Sequence, residues 1–145
     1  MSQFITSLDA LEETRKLVIS QAKGAQATLQ KWQIILTGNV TAVMAIELAQ
    51  NVSITINKLT AAKAVTGFDA YLTAQYSGIS NYDAATALQS LIDALTTIQT
   101  WLSNNLPPNE YSIVNGVYVL SGPAHSPTQT SALLSLVNAA LAVYG

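Results

Sequence analysis

Apolar residues recur along the first quarter of the chain at alternating steps of four and three. Phe4, Leu8, Leu11, Val18, Ala22, Ala25, Leu29, Trp32 and Leu36 keep this spacing, and Arg15 occupies the one charged position in the stripe. An average step of 3.5 residues is the a/d seam of a heptad helix. The pattern predicts a helix about 50 Å long at 1.5 Å per residue. Ser2 or Ser7 is a candidate N-cap, and Asp9, Glu12 and Glu13 lie early, where the helix dipole favours acids. Gly38 in "LTGNV" is the candidate C-terminal cap. Gly24, in mid-helix, costs about 1 kcal/mol and marks a candidate close helix crossing.

A second stripe of Ala45, Leu48, Val52, Ile56, Leu59 and Ala62 or Lys63 predicts a helix from Val40 to about Thr66. Within it, "NVSITIN" alternates with period two and is rich in β-branched residues, so residues 52–57 also fit a strand. Good helix formers on both sides favour the helix. Phe68, Leu72 and Tyr76 then share one face of a short helix, and "SGISN" reads as a loop. Asn81 or Asp83 is the candidate cap of a strongly amphipathic helix. That helix carries Ala84, Leu88, Leu91, Leu95, Ile98 and Leu102, with Ile92 and Trp101 broadening the stripe. "NNLPPN" stops it, because proline cannot continue a helix.

The period changes again in "EYSIVNGVYVLSGPAHSPTQ". Two short β-branched and aromatic runs flank Asn115-Gly116, a pair that accepts the positive φ of a type I′ turn. They predict a β-hairpin at about 111–120. Ser126-Pro127-Thr128-Gln129 reads as a helix start, with Ser at the N-cap, Pro at N1 and Gln at N3. The last helix carries Leu133, Leu134, Leu136, Val137, Ala140, Leu141 and Tyr144. The expected fold is mainly α: a single domain over residues 1–145. It is a helical bundle with a long N-terminal heptad helix and one short hairpin before the C-terminal helix.

Composition changes the picture in one respect. Only 10% of the 145 residues are charged, against about 25% in ordinary globular domains. A neutral polar surface can be buried against a partner without stripping water from many charges. That favours a chain working inside an assembly. The charges are also uneven. All six Lys and Arg fall within the first 63 residues, leaving that part near +2 and the remainder near −4. This split can orient subunits head to tail, but it lacks the clustered basic stripe of a nucleic-acid binder. Without cysteine, disulfides and thiolate metal sites are excluded. No run approaches 18 apolar residues and the start lacks a signal-peptide pattern, so no membrane partner is expected.

Candidate chemistry is sparse. His125 is the single histidine, in a proline-containing loop with no nearby carboxylate pair to complete a metal site. There is no nucleophile elbow, phosphate cradle or EF-hand loop. Trp32, Trp101 and the six tyrosines fall mostly on apolar helical faces without interleaved bases, which fits core or interface better than base stacking. Arg15 is open to three readings: a buried polar specifier, a partner contact, or a side chain that snorkels to solvent. No catalytic, metal or cofactor residue is assigned, and the chain is not expected to be an enzyme.

"FDAYLTAQYSG", the helix ending "TWLSNNLP", the hairpin "SIVNGVYVL" and "SPTQTSALLSLVNAAL" together resemble small proteins encoded among the virion genes of tailed bacteriophages. The resemblance covers roughly residues 67–143 and lies in order and texture. It implies a structural component of the virion (neck, tail, baseplate or capsid-associated), made in the host cytoplasm. Its partners would be other virion proteins and copies of itself, as a homo-oligomer or repeated ring subunit. The competing reading is a bacterial helical adaptor or secretion-system module. Under either, the interface candidates are Leu29, Trp32 and Leu36 on the heptad stripe and Val117, Tyr118 and Val119 in the hairpin.

Overall fold

The computed structural model of the chain describes residues 2–38, 40–105, 111–115, 117–120, 127–128 and 131–144. It is mainly helical. Helix α1 spans Ser2–Ile35, α2 Ala42–Lys63, α3 Phe68–Tyr76, α4 Ala85–Asn105 and α5 Ser131–Tyr144. Among the described residues there are also four short extended segments: β1 Val40–Thr41, β2 Tyr111–Val114, β3 Val117–Leu120 and β4 Pro127–Thr128. β2 pairs antiparallel with β3, and β1 with β4.

The long helices bury most of the face that their apolar spacing marks, but the α1 stripe is core only from Val18 onward: Leu8, on the same stripe, is 42% exposed. From α1, Val18, Ala22, Ala25, Leu29 and Trp32 enter the core, and Leu36 follows just past its end. From α4 come Leu88, Leu91, Ile92, Leu95, Ile98 and Leu102. Burying a side chain such as Leu95 contributes about 1.5–3 kcal/mol. α1 packs on α2 and α5, and α4 packs on the same two helices. α1 and α4 therefore lie diagonally across a four-helix arrangement. α3 closes one side, with Phe68 and Leu72 fully buried.

Residues 52–57 are helical, and burial shows why. Val52, Thr55 and Leu59 face inward while Ile54 is 53% exposed. In a strand, Val52, Ile54 and Ile56 would share a face. Thr55 satisfies its buried hydroxyl by donating to the Asn51 carbonyl at 3.1 Å, one turn back.

Several local expectations are corrected. Gly24 is exposed and a Cβ there would meet nothing within 4 Å, so it marks no close crossing. α1 ends through short turns, Thr37 N–H to Ile34 O and Gly38 N–H to Ile35 O, and Gly38 lacks the left-handed φ of a glycine cap. Positive φ is needed instead at Gly67, which opens α3, and at Gly78 in the following loop. The proposed helix start at Ser126 is displaced: Pro127 and Thr128 are extended, paired with Thr41 and Val40, and α5 begins at Ser131. Ser126 and Gln129 lie outside the described residues, as does His125.

Candidate functional site

Three features stand out: a polar cluster, the outward register of β2 and β3, and a groove along α4. The cluster forms where the N-terminal half of α1 meets α3 and the loop before α4. Arg15 Nε donates to Asp83 Oδ1 at 3.0 Å, and Nη1 donates to Glu12 Oε1 at 3.0 Å. Its guanidinium carbon lies 3.9 Å from the centre of the Tyr76 ring. Glu12 Oε2 accepts the Tyr71 hydroxyl at 2.5 Å and the Tyr76 hydroxyl at 3.1 Å. Ser80 Oγ donates to Asp83 Oδ2 at 2.8 Å.

Hydrogen bonds and paired charges bias the ionisation of three members of the cluster. The Tyr71 hydroxyl holds the Glu12 carboxyl below its ordinary pKa, against partial desolvation and with help from Tyr76 and Arg15. The same bond to Glu12, followed by burial, pushes the Tyr71 hydroxyl well up, so it stays a donor. Burial works against the Arg15 charge, but nearby Asp83, Tyr76 and Glu12 outweigh it and raise its pKa. The cluster thus acts as a tie between α1, α3 and the 77–84 loop. Of the three readings for Arg15, the structure shows a partly buried residue with partners inside the chain.

Asn81 and Asp83, the two candidate caps of α4, serve elsewhere. Asp83 is buried in the Arg15 pair, and Asn81 Nδ2 donates to the Val143 carbonyl, tying the loop to α5. Nearby, Tyr82 donates to Gln26 Oε1 at 2.9 Å and stacks edge-on against Tyr144. The Tyr144 hydroxyl is buried and finds no hydrogen-bond partner among the described residues. Sequence reasoning missed Glu12, Tyr71 and Asp83 as a unit. The available signal was Arg15 itself: a charge in a core stripe needs an acid, and Glu12 sits three residues earlier on the same face.

Leu29, Trp32 and Leu36 were interface candidates, but the bundle itself covers them. Leu29 is 1% and Leu36 2% exposed, which leaves no surface to offer a partner. The hairpin differs. The register pairs Ser112 with Val119 and Val114 with Val117, which sets Ser112, Val114 and Val119 on one face. On that face Ser112 is exposed, Val114 is 51% exposed and Val119 41%. Tyr118 holds the alternate register, opposite Ile113. β3 packs against α2, which anchors the pair to the bundle.

A groove of about 410 Å³ runs between the exposed side of α4 and Leu136 of α5, lined by Thr96, Thr97, Thr100, Trp101, Asn104 and Asn105. All of its lining side chains are uncharged. A crevice among Ala25, Thr28, Leu29, Asn51, Val52, Thr55 and Leu95 has about 10 Å³, room for a single water. Among the described residues no three His, Asp or Glu side chains gather where a metal could be held, and no helix is long and apolar enough to cross a membrane. Models of known protein families, curated proteins and solved structures all return no match to this chain.

Proposed function

We propose that this chain is a structural component of a tailed-phage virion, acting by assembly and not by catalysis. The virion assignment rests on the resemblance carried by residues 67–143. The assembly role rests on one observation: Val114 and Val119 stand exposed on a single face of β2–β3 while the helices have already closed their own core. An isolated two-stranded hairpin is marginal in water. α2 supports it from one side, and a partner covering the valine face would remove that face's apolar surface from water. The outer strand edges contain no lysine to discourage a neighbour. A surface with few charges lowers the cost of covering the rest.

The test has two parts. Mass spectrometry of particles purified from the encoding phage should detect the chain in stoichiometric amount. Absence from intact particles overturns the virion reading in favour of a host adaptor. The double variant Val114→Lys, Val119→Lys should fold normally, since both side chains are exposed, yet fail to enter particles. Normal incorporation would sink the hairpin's role.

A further inference from the structure

We infer that one copy of the chain docks on the next through the outer face of α1 and the groove on α4, a head-to-tail contact between two different surfaces. This deepens the assembly reading above and rests on it. The argument begins with placement. α1 and α4 lie diagonally across the bundle, so their outer faces point in opposite directions. A contact joining two such faces is heterologous, and repeats from copy to copy into a ring or a filament.

Each face offers the other an apolar group. Ile34 lies on the outer face of α1, away from the buried stripe, and is 75% exposed, the most exposed large apolar side chain among the described residues. The groove on the far side offers a half-buried Trp101 and Leu136 as an apolar floor, edged by Thr97, Thr100 and Asn104. Its volume of about 410 Å³ exceeds what one isoleucine side chain needs, leaving room for the adjoining turn. An exposed apolar knob matched to a distant pocket on the same molecule is the arrangement that propagates.

They are also complementary in charge. From Lys16 to Ile34, α1 presents Lys16, Lys23 and Lys31 outward and contains no acid. Lys16 leans on Glu13 at 3.7 Å, while Lys23 and Lys31 make no ion pair among the described residues. On α4 the single charged residue is Asp93, exposed, its partner being the neutral Gln89 amide at 2.8 Å. No lysine or arginine follows Lys63 in the chain. Lys31 lies about one turn before Ile34, and Asp93 one turn before Thr97. Laying the two helices in the same direction, with Ile34 over Thr97 and Trp101, brings Lys31 toward Asp93. The rest of the α4 surface is threonine, serine, asparagine and glutamine, several already bonded to their own helix, such as Thr97 to the Asp93 carbonyl. Covering it costs little charge desolvation.

The test uses the full chain in light scattering coupled to size exclusion, with circular dichroism to verify folding. Ile34→Asp removes the knob, and Thr100→Arg blocks the groove; both positions are exposed. The wild-type chain should show a mass at multiples of 15.3 kDa that grows with concentration, and each variant alone should fall to a single chain. Mixing the two should give a one-to-one dimer and nothing larger, because the knob of one and the groove of the other are intact. That last result is unique to a heterologous contact. If Ile34→Asp still associates like the wild type, this contact is wrong while self-association survives. If the wild-type chain stays single at every concentration, this contact is wrong whatever particle mass spectrometry shows for the virion reading.

Discussion

Replacing Asp83 by Ala tests whether the Arg15 cluster holds the fold together. The Asp83 side chain is 7% exposed and accepts two hydrogen bonds, from Arg15 Nε at 3.0 Å and Ser80 Oγ at 2.8 Å. Breaking a fully buried ion pair from one side costs about 3–5 kcal/mol. Arg15 is 21% exposed and keeps Glu12, so water and the remaining acid compensate it in part. The expected loss is therefore lower, about 2–3 kcal/mol, in the range of charge-assisted hydrogen bonds. For a domain of this size that is a fall in Tm of roughly 5–10 °C. Arg15→Met should also destabilise, because it leaves the Asp83 carboxylate buried with only the Ser80 hydroxyl. The double variant should cost less than the sum, with a coupling of about 1–2 kcal/mol. Urea unfolding followed by far-UV circular dichroism on all four proteins measures it. Additive single effects, within about 0.3 kcal/mol, would refute the claim that the two side chains act as a pair.

Acid should weaken the same tie. The Glu12 carboxyl is held below its ordinary value in the folded chain, so its contribution is fully present above the unfolded carboxylate range. That contribution is lost as pH falls through the lower folded value, so the urea midpoint of the wild type should drop more steeply below about pH 4.5 than that of Glu12→Gln; parallel profiles would contradict this. Leu29→Ala, at a side chain 1% exposed, should cost about 2–5 kcal/mol at any protein concentration. A loss that is small in dilute solution and grows as concentration rises would instead put Leu29 in a contact between copies.

The helices were legible in the sequence because one rule governs them. An apolar residue every three or four positions must bury one helix face, wherever that helix ends up. Val18 to Trp32 on α1, with Leu36 just beyond it, and Leu88 to Leu102 on α4 follow that rule, and both runs are core. The stripe says nothing about what covers it. A heptad seam is read equally well as a contact with another copy or with the chain's own helices, and only the packing of α1 on α2 and α5 decides for the latter.

The ends of elements and the polar partners depended on tertiary structure throughout. Pro127 has the right chemistry to open a helix, yet Pro127 and Thr128 are extended against Val40 and Thr41, a pairing between residues more than eighty positions apart. Asp83 and Asn81 have the right chemistry to cap α4, yet Arg15 and the Val143 carbonyl claim them. In each case a local preference worth about 1 kcal/mol is outweighed by a long-range bond. The sequence by itself marked the helix faces that supply the core, since burial largely follows period, with Leu8 an exposed exception. Which groups those faces and polar side chains meet was decided by the tertiary structure, because such contacts join positions that no local spacing relates.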